Sequence, residues 1–156
     1  MCIRDSNSTA MVYARTGELA QPPIAVPGAG GGGPPTISDF DGDGFPELAV
    51  AGQAFYTVYD IDCGPTPRPG GVCPPGTCDF LGGPCAAGGG IAWSRSTQDI
   101  SSNVTGSSVF DFEADGTAEV VYGDECFVRV YNGVTGDVLF SPVSYTHLTL
   151  PTILLV

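Results

Sequence analysis

Asp39, Asp41, Asp43 and Glu47 stand in the pattern Asp39-x-Asp41-x-Asp43-Gly44-x-x-Glu47, which suits a hard divalent cation. Alternate side chains of a tightly coiled loop can all turn inward, and Ca²⁺ takes about six to eight oxygens. Gly44 can adopt the positive φ that reverses the chain. Phe45 is expected to offer its backbone carbonyl, and Glu47 to close the far side. Four carboxylates gathered without a cation would repel one another by several kcal/mol, on the order expected for partly solvated charges. The charge pattern itself therefore asks for a metal.

A second loop, Asp111-x-Glu113-x-Asp115-Gly116-x-x-Glu119, has the same layout, with Thr117 standing where the first has Phe45. Glu113 replaces the middle Asp and Ala114 replaces a Gly, so a longer side chain in a tight loop predicts a weaker site. The expected metal ligands are Asp39, Asp41, Asp43, Phe45 and Glu47 in the first loop. In the second they are Asp111, Glu113, Asp115, Thr117 and Glu119. An EF-hand begins with the same alternation but needs its last Glu at position twelve and helices on both sides. Here the acid comes earlier and runs straight into Leu48-Ala49-Val50, which reads as a strand.

The elements around these loops repeat. A shift of 72 residues carries Asp39–Leu48 onto Asp111–Val120, and Phe55, Val58 and Tyr59 onto Phe127, Val130 and Tyr131. A partial third copy, Val12–Leu19, matches Val130–Val138 with one residue deleted. Val12 to Val58 is 46 residues, so the longer second interval carries about 26 extra. These correspond to the Cys/Gly/Pro-rich stretch 63–90, expected as an insertion between blades. Short runs rich in β-branched and aromatic residues recur between Gly, Pro, Asn and Asp, and sustained helical periodicity is lacking. They include Leu48–Val50, Phe55–Tyr59, Ile91–Trp93, Val109–Phe112, Glu119–Tyr122, Phe127–Tyr131 and Val138–Phe140. Asn132-Gly133 and Thr135-Gly136 read as turns. Short strands with a repeat near 45 residues predict an all-β chain, a partial β-propeller of short antiparallel four-stranded blades.

The run Thr36-Ile37-Ser38-Asp39-Phe40-Asp41-Gly42-Asp43-Gly44-Phe45-Pro46-Glu47-Leu48-Ala49-Val50 resembles the FG-GAP/VCBS repeat core, also seen in the propeller of integrin α chains. The resemblance implies Ca²⁺ held in the loop between neighbouring strands of one blade. It also implies a broad propeller face that binds another protein or a glycan. Two full motifs and a partial flanking blade are covered, in segments 7–62 and 91–142.

The two ends read differently. Met1-Cys2-Ile3-Arg4-Asp5-Ser6 resembles translated sequencing-adapter DNA, and Val143-Ser144-Tyr145-Thr146-His147-Leu148 resembles the reverse complement of the same adapter. Segments 1–6 and 143–156 are therefore expected to be adapter-derived, and the chain between them an internal piece of a longer gene. About three repeats are the usual minimum for stability, so the isolated piece is expected to be marginally folded and calcium-sensitive.

Composition narrows the partners. The net charge is −12, with 17 acidic residues against five arginines and no lysine. Nucleic acid and anionic membranes would repel such a chain. No apolar run is long enough for a membrane-spanning helix. Of the six cysteines, Cys63, Cys73, Cys78 and Cys85 crowd one loop-rich stretch. They read as two disulfides from an oxidising compartment, in any of three pairings, with a zinc site as the rival. Cys126 is left over. Asn7-Ser8-Thr9 and Asn103-Val104-Thr105 fit the glycosylation acceptor pattern.

The only histidine, His147, lies in the adapter-like end, and no nucleophile signature such as G-x-S-x-G appears. The carboxylate pairs are explained by ligand spacing without acid–base work. The expected function is a calcium-binding module of the cell exterior or surface, not an enzyme, with an unknown protein or glycan ligand. The alternatives are a non-catalytic propeller part of a larger secreted polysaccharide-processing enzyme, or a spacer between other domains. Trp93, Phe40, Phe112, Tyr59 and Tyr131 are expected to fill the spaces between blades.

Overall fold

The computed structural model describes residues 2–5 (backbone only), 9–19, 23–28, 32–60, 90–100 and 105–143. Cys63, Cys73, Cys78 and Cys85 and their expected disulfides lie outside these residues, as do Asn7, Asn103 and the end from Ser144 onward. The described residues are all-β, without a helix. Among the described residues eleven strands form three antiparallel sheets.

The first sheet contains β1 (Cys2–Asp5), β2 (Thr9–Tyr13) and β3 (Ile24–Ala25) in that order. The second contains β4 (Thr36–Ser38), β5 (Glu47–Ala51), β6 (Phe55–Asp60) and β7 (Gly90–Ser96), each beside the next. The third repeats this meander with β8 (Ser107–Phe110), β9 (Glu119–Gly123), β10 (Val128–Tyr131) and β11 (Val138–Phe140). Consecutive antiparallel strands need only short connections. The acidic loops are the β4–β5 and β8–β9 connections.

One connection departs from the sequence reading. β6 pairs directly with β7, with Val58 opposite Trp93 and Asp60 opposite Gly90. The cysteine-rich stretch thus joins neighbouring strands of one sheet and does not separate two sheets. Extra chain between two neighbouring strands is tolerated because closure entropy rises only logarithmically with length.

The sheets stack, and side-chain alternation along each strand decides which face meets which neighbour. Leu48, Val50 and Tyr59 pack against Ala10, Val12, Ile24 and Val26 of the first sheet. Their strand neighbours Ala49, Ala51, Tyr56 and Val58 face the third sheet with Trp93, meeting Val120, Tyr122 and Tyr131. Strand β5 is buried at all five positions because it has a sheet on both faces. Fully burying a side chain of this size contributes roughly 1.5–3 kcal/mol.

The junction of the second and third sheets is aromatic and hydrogen-bonded. Tyr56 stacks on Tyr131 with ring centroids 6.1 Å apart and an interplanar angle of 9°. The Tyr56 hydroxyl and Ser107 Oγ lie 2.6 Å apart, and Ser107 Oγ lies 2.7 Å from Thr36 Oγ1. Trp93 Nε1–H donates to the Gly133 carbonyl at 2.6 Å. Arg95 Nε–H donates to the Gly136 carbonyl at 2.7 Å. Gly133 must be glycine, because a Cβ there would collide with the Ala118 carbonyl.

The β10–β11 turn and the chain after β2 share a hydrogen-bond pattern. Asn132 N–H donates to the Asp137 carbonyl and Gly136 N–H to the Asn132 carbonyl, each at 2.8 Å. Ala14 N–H donates likewise to Glu18 O at 2.8 Å, and Gly17 N–H to Ala14 O at 2.9 Å. Gly17 and Gly136 hold φ of 88° and 70°. The one-residue deletion read from the sequence falls inside this turn.

Candidate metal centre

Each acidic loop leaves one strand and returns as the next, so its ends are fixed by sheet pairing: Ser38 lies opposite Glu47, and Phe110 opposite Glu119. Between these anchors the two loops take one backbone course. Gly42 and Gly44 have φ of 80° and 88°; Ala114 and Gly116, 72 residues on, have 55° and 94°.

In the first loop the carboxylates hold the turn. Asp39 accepts from Gly42 N–H at 2.7 Å and from Gly44 N–H at 3.0 Å, one on each oxygen. Asp41 Oδ1 accepts from Asp43 N–H at 3.1 Å, and Asp43 Oδ1 from Phe45 N–H at 2.7 Å. Each carboxylate oxygen has a second lone pair, so these bonds leave acceptor capacity over. Asp39, Asp41 and Asp43 bring one oxygen each to within 4.8 Å of one another, and all three are half-buried.

Glu47 stands apart from that trio. It is 1% exposed at the start of β5, and its Oε2 accepts from Phe40 N–H at 2.6 Å. Among the described residues its buried Oε1 has no hydrogen-bond partner. Burial pushes the Glu47 carboxyl up to about 8, against the opposing pull of the Phe40 N–H, and Asp41, Asp60 and Asp43 add repulsion. Asp60 is the residue that the loop pattern missed. It sits at the end of β6, itself buried, and the 72-residue shift puts Asn132 in its place beside the other loop. That exchange of an acid for an amide was a readable signal of a second charge near the first loop.

The second loop gathers a different trio. Asp111, Glu113 and Glu119 come within 4.8 Å of one another. Asp111 accepts from Asp115 N–H at 3.1 Å and Gly116 N–H at 2.9 Å. Glu119 Oε2 accepts from Phe112 N–H at 3.0 Å, matching Glu47 and Phe40. A hydrogen bond to Glu119 raises the Glu113 carboxyl. Asp115 is turned away to Thr117, whose hydroxyl donates to it at 2.6 Å and whose N–H donates at 2.9 Å. These two bonds lower the Asp115 carboxyl. Thr117 thus serves Asp115, and the longer Glu113 reaches where Asp41 does not.

The loops touch. Ala118 N–H donates to the Asp39 carbonyl at 3.2 Å, and a Cβ on Gly42 would meet Thr117 Cγ2 at 3.1 Å. An open cleft lies between them, bordered by Ser38 and Asp39 on one side and Asp111 and Thr117 on the other.

Beyond the loops, Asp124 ties the third sheet to residues 97–99. It accepts from the N–H groups of Gln98, Cys126 and Phe127 and pairs with the Arg129 guanidinium, so its carboxyl lies below the usual range despite burial. Against known proteins, no family model, no curated protein and no solved structure matches the chain.

Proposed function

We propose that the chain is part of an extracellular or cell-surface β-propeller of FG-GAP/VCBS type, stabilised by Ca²⁺ in its acidic loops. It acts as a binding module for a protein or glycan and performs no catalysis. The observation that carries this reading is Glu47. A carboxylate with one oxygen buried and, among the described residues, without a hydrogen-bond partner, and repelled by Asp41, Asp60 and Asp43, is costly unless a proton or a cation compensates it. Asp39, Asp41, Asp43 and Glu47 are the groups that would hold the cation, with Phe45 through its carbonyl. Asp111, Glu113 and Glu119 form the second set, with Asp115 and Thr117 engaged with each other.

The ion's contribution there is charge neutralisation, and the protein supplies the preformed turn. The backbone N–H bonds to Asp39 and Asp43 already orient those carboxylates, so little chain entropy remains to be lost on binding. The propeller reading is supported by the stacking of successive sheets through equivalent faces. Each four-stranded sheet uses one face for the sheet before it, and the second sheet uses its other face for the sheet after.

A calorimetric Ca²⁺ titration of the intact chain tests the reading, run beside an Asp41→Ala/Asp43→Ala variant. Saturable binding in the range of extracellular modules, about 10⁻⁴–10⁻³ M, is expected. One site should vanish in the variant. A folded chain that takes up no Ca²⁺ would remove the chemical basis of the proposal.

A further inference from the structure

Glu47 and Asp60 are buried together on one face of the second sheet. β5 and β6 pair with Leu48 opposite Tyr59 and Ala49 opposite Val58. The same register, carried one step further, sets Glu47 at the start of β5 opposite Asp60 at the end of β6. Leu48 and Tyr59 pack toward the first sheet, Ala49 and Val58 toward the third. Alternation along the strands therefore turns Glu47 and Asp60 toward the third sheet. Both are 1% exposed. The sheets on either side of this junction are present in the chain, so the burial is that of a complete contact.

Like charges directly opposite one another on a sheet repel, and burial removes the water that would screen them. Asp60 acts on Glu47 more strongly than Asp43 does, although Asp43 belongs to the loop. Glu47 also carries the buried Oε1 that has no hydrogen-bond partner among the described residues. A divalent cation held in the loop would offset both charges at once. The second loop lacks this pair. Glu119 stands in the place of Glu47, and the residue set opposite it is Asn132. The Asn132 Oδ1 accepts from Thr135 N–H at 2.9 Å and from the Thr135 hydroxyl at 3.1 Å. The two loops thus share a backbone course and differ in the charge behind them.

We propose that Asp60 sets the cation affinity of the first loop, acting from the neighbouring strand through Glu47. The inference rests on the metal reading proposed above. Asp60 is a positioning residue here, and two effects of its charge favour binding. Repulsion within the pair raises the energy of the empty loop, and attraction to the ion lowers that of the filled one. Salt screens a buried pair less than a surface pair, so both effects persist at physiological ionic strength.

Calorimetric Ca²⁺ titration of the intact chain tests this with Asp60→Asn, which removes the charge and keeps the size and one acceptor oxygen. The first loop is the site that disappears in Asp41→Ala/Asp43→Ala. Its affinity should fall at least about tenfold in Asp60→Asn, and that of the second loop should stay as it is. Added to the Asp41→Ala/Asp43→Ala background, Asp60→Asn should leave Ca²⁺ binding unchanged. Melting separates this role from a merely structural one. In chelator Asp60→Asn should raise the Tm, because the repulsion is relieved, and the further rise on adding Ca²⁺ should shrink. A lower Tm in chelator overturns the proposal, since Asp60 would then serve the fold and not the ion. Unchanged first-loop affinity in a cooperatively melting variant also overturns it, and leaves the metal reading standing. A parent chain that takes up no Ca²⁺ overturns both.

Discussion

Ala114 holds a φ of 55° at the loop position where Gly42 holds 80°. Among the described residues Ala114 is the one non-glycine with positive φ. A side chain in this region costs roughly 1–2 kcal/mol, and glycine avoids that cost while giving back some entropy to the unfolded chain. Ala114→Gly is expected to stabilise the chain by about 0.5–1 kcal/mol in urea denaturation. Gly42→Ala should destabilise it by more than that gain, because the new methyl also meets Thr117. A neutral Gly42→Ala would mean that the left-handed turn is not retained in solution.

Glu47 predicts an inverted pH dependence. Its carboxyl is raised from 4.5 to about 8, so the folded chain binds a proton that the unfolded chain has released. Stability should therefore be greatest below pH 4.5, as far as this group is concerned, and fall as pH rises toward about 8. The slope approaches about 1.4 kcal/mol per pH unit within that window. Glu47→Gln, measured by denaturation in a chelator, should flatten it. Added Ca²⁺ should flatten it in the parent as well, because a cation replaces the proton. A parent whose stability rises through this window in chelator would show that Glu47 is ionised and compensated by something else.

Trp93 and Gly136 predict a strong packing dependence. Removing the indole by Trp93→Ala empties the junction between the second and third sheets and should cost about 3–5 kcal/mol. Gly136→Ala adds a methyl against the ring at a φ of 70° and should cost about 2 kcal/mol or more. Trp93 is the single tryptophan, so its fluorescence reports both transitions directly. An unperturbed emission maximum in Gly136→Ala would argue against the stacking.

Much of the local structure was legible. Strands β5, β6, β9 and β11 fall where β-branched and aromatic runs predicted them, and the gapless 72-residue shift carries β5 onto β9 residue for residue. β1 lies in the segment read as adapter-derived, β2 falls where only a partial repeat was read, and β3 and β4, at two and three residues, carry too little pattern to be read as strands. Val109–Phe112 was read as one run, but the strand ends at Phe110, and Phe112 belongs to the acidic loop. Phe112 was also expected between blades. It is exposed, since among the described residues no sheet covers the face on which it lies, whereas Phe40 packs against the third sheet.

The acidic residues themselves, their spacing and the glycines that turn the loop were set by the sequence alone, because loop conformation at that scale depends on near neighbours. Tertiary structure decided which oxygens converge. Glu47 starts a strand covered on both faces, and that burial turns it from an open ligand into a raised carboxyl with one orphan oxygen. In the second loop Asp111, Glu113 and Glu119 come together, while Asp115 Oδ1 takes both bonds from Thr117. The pairing of β6 with β7 was equally a tertiary matter, since no local pattern tells β6 that its partner begins only at Gly90. Local chemistry wrote the loops; long-range packing assigned their atoms.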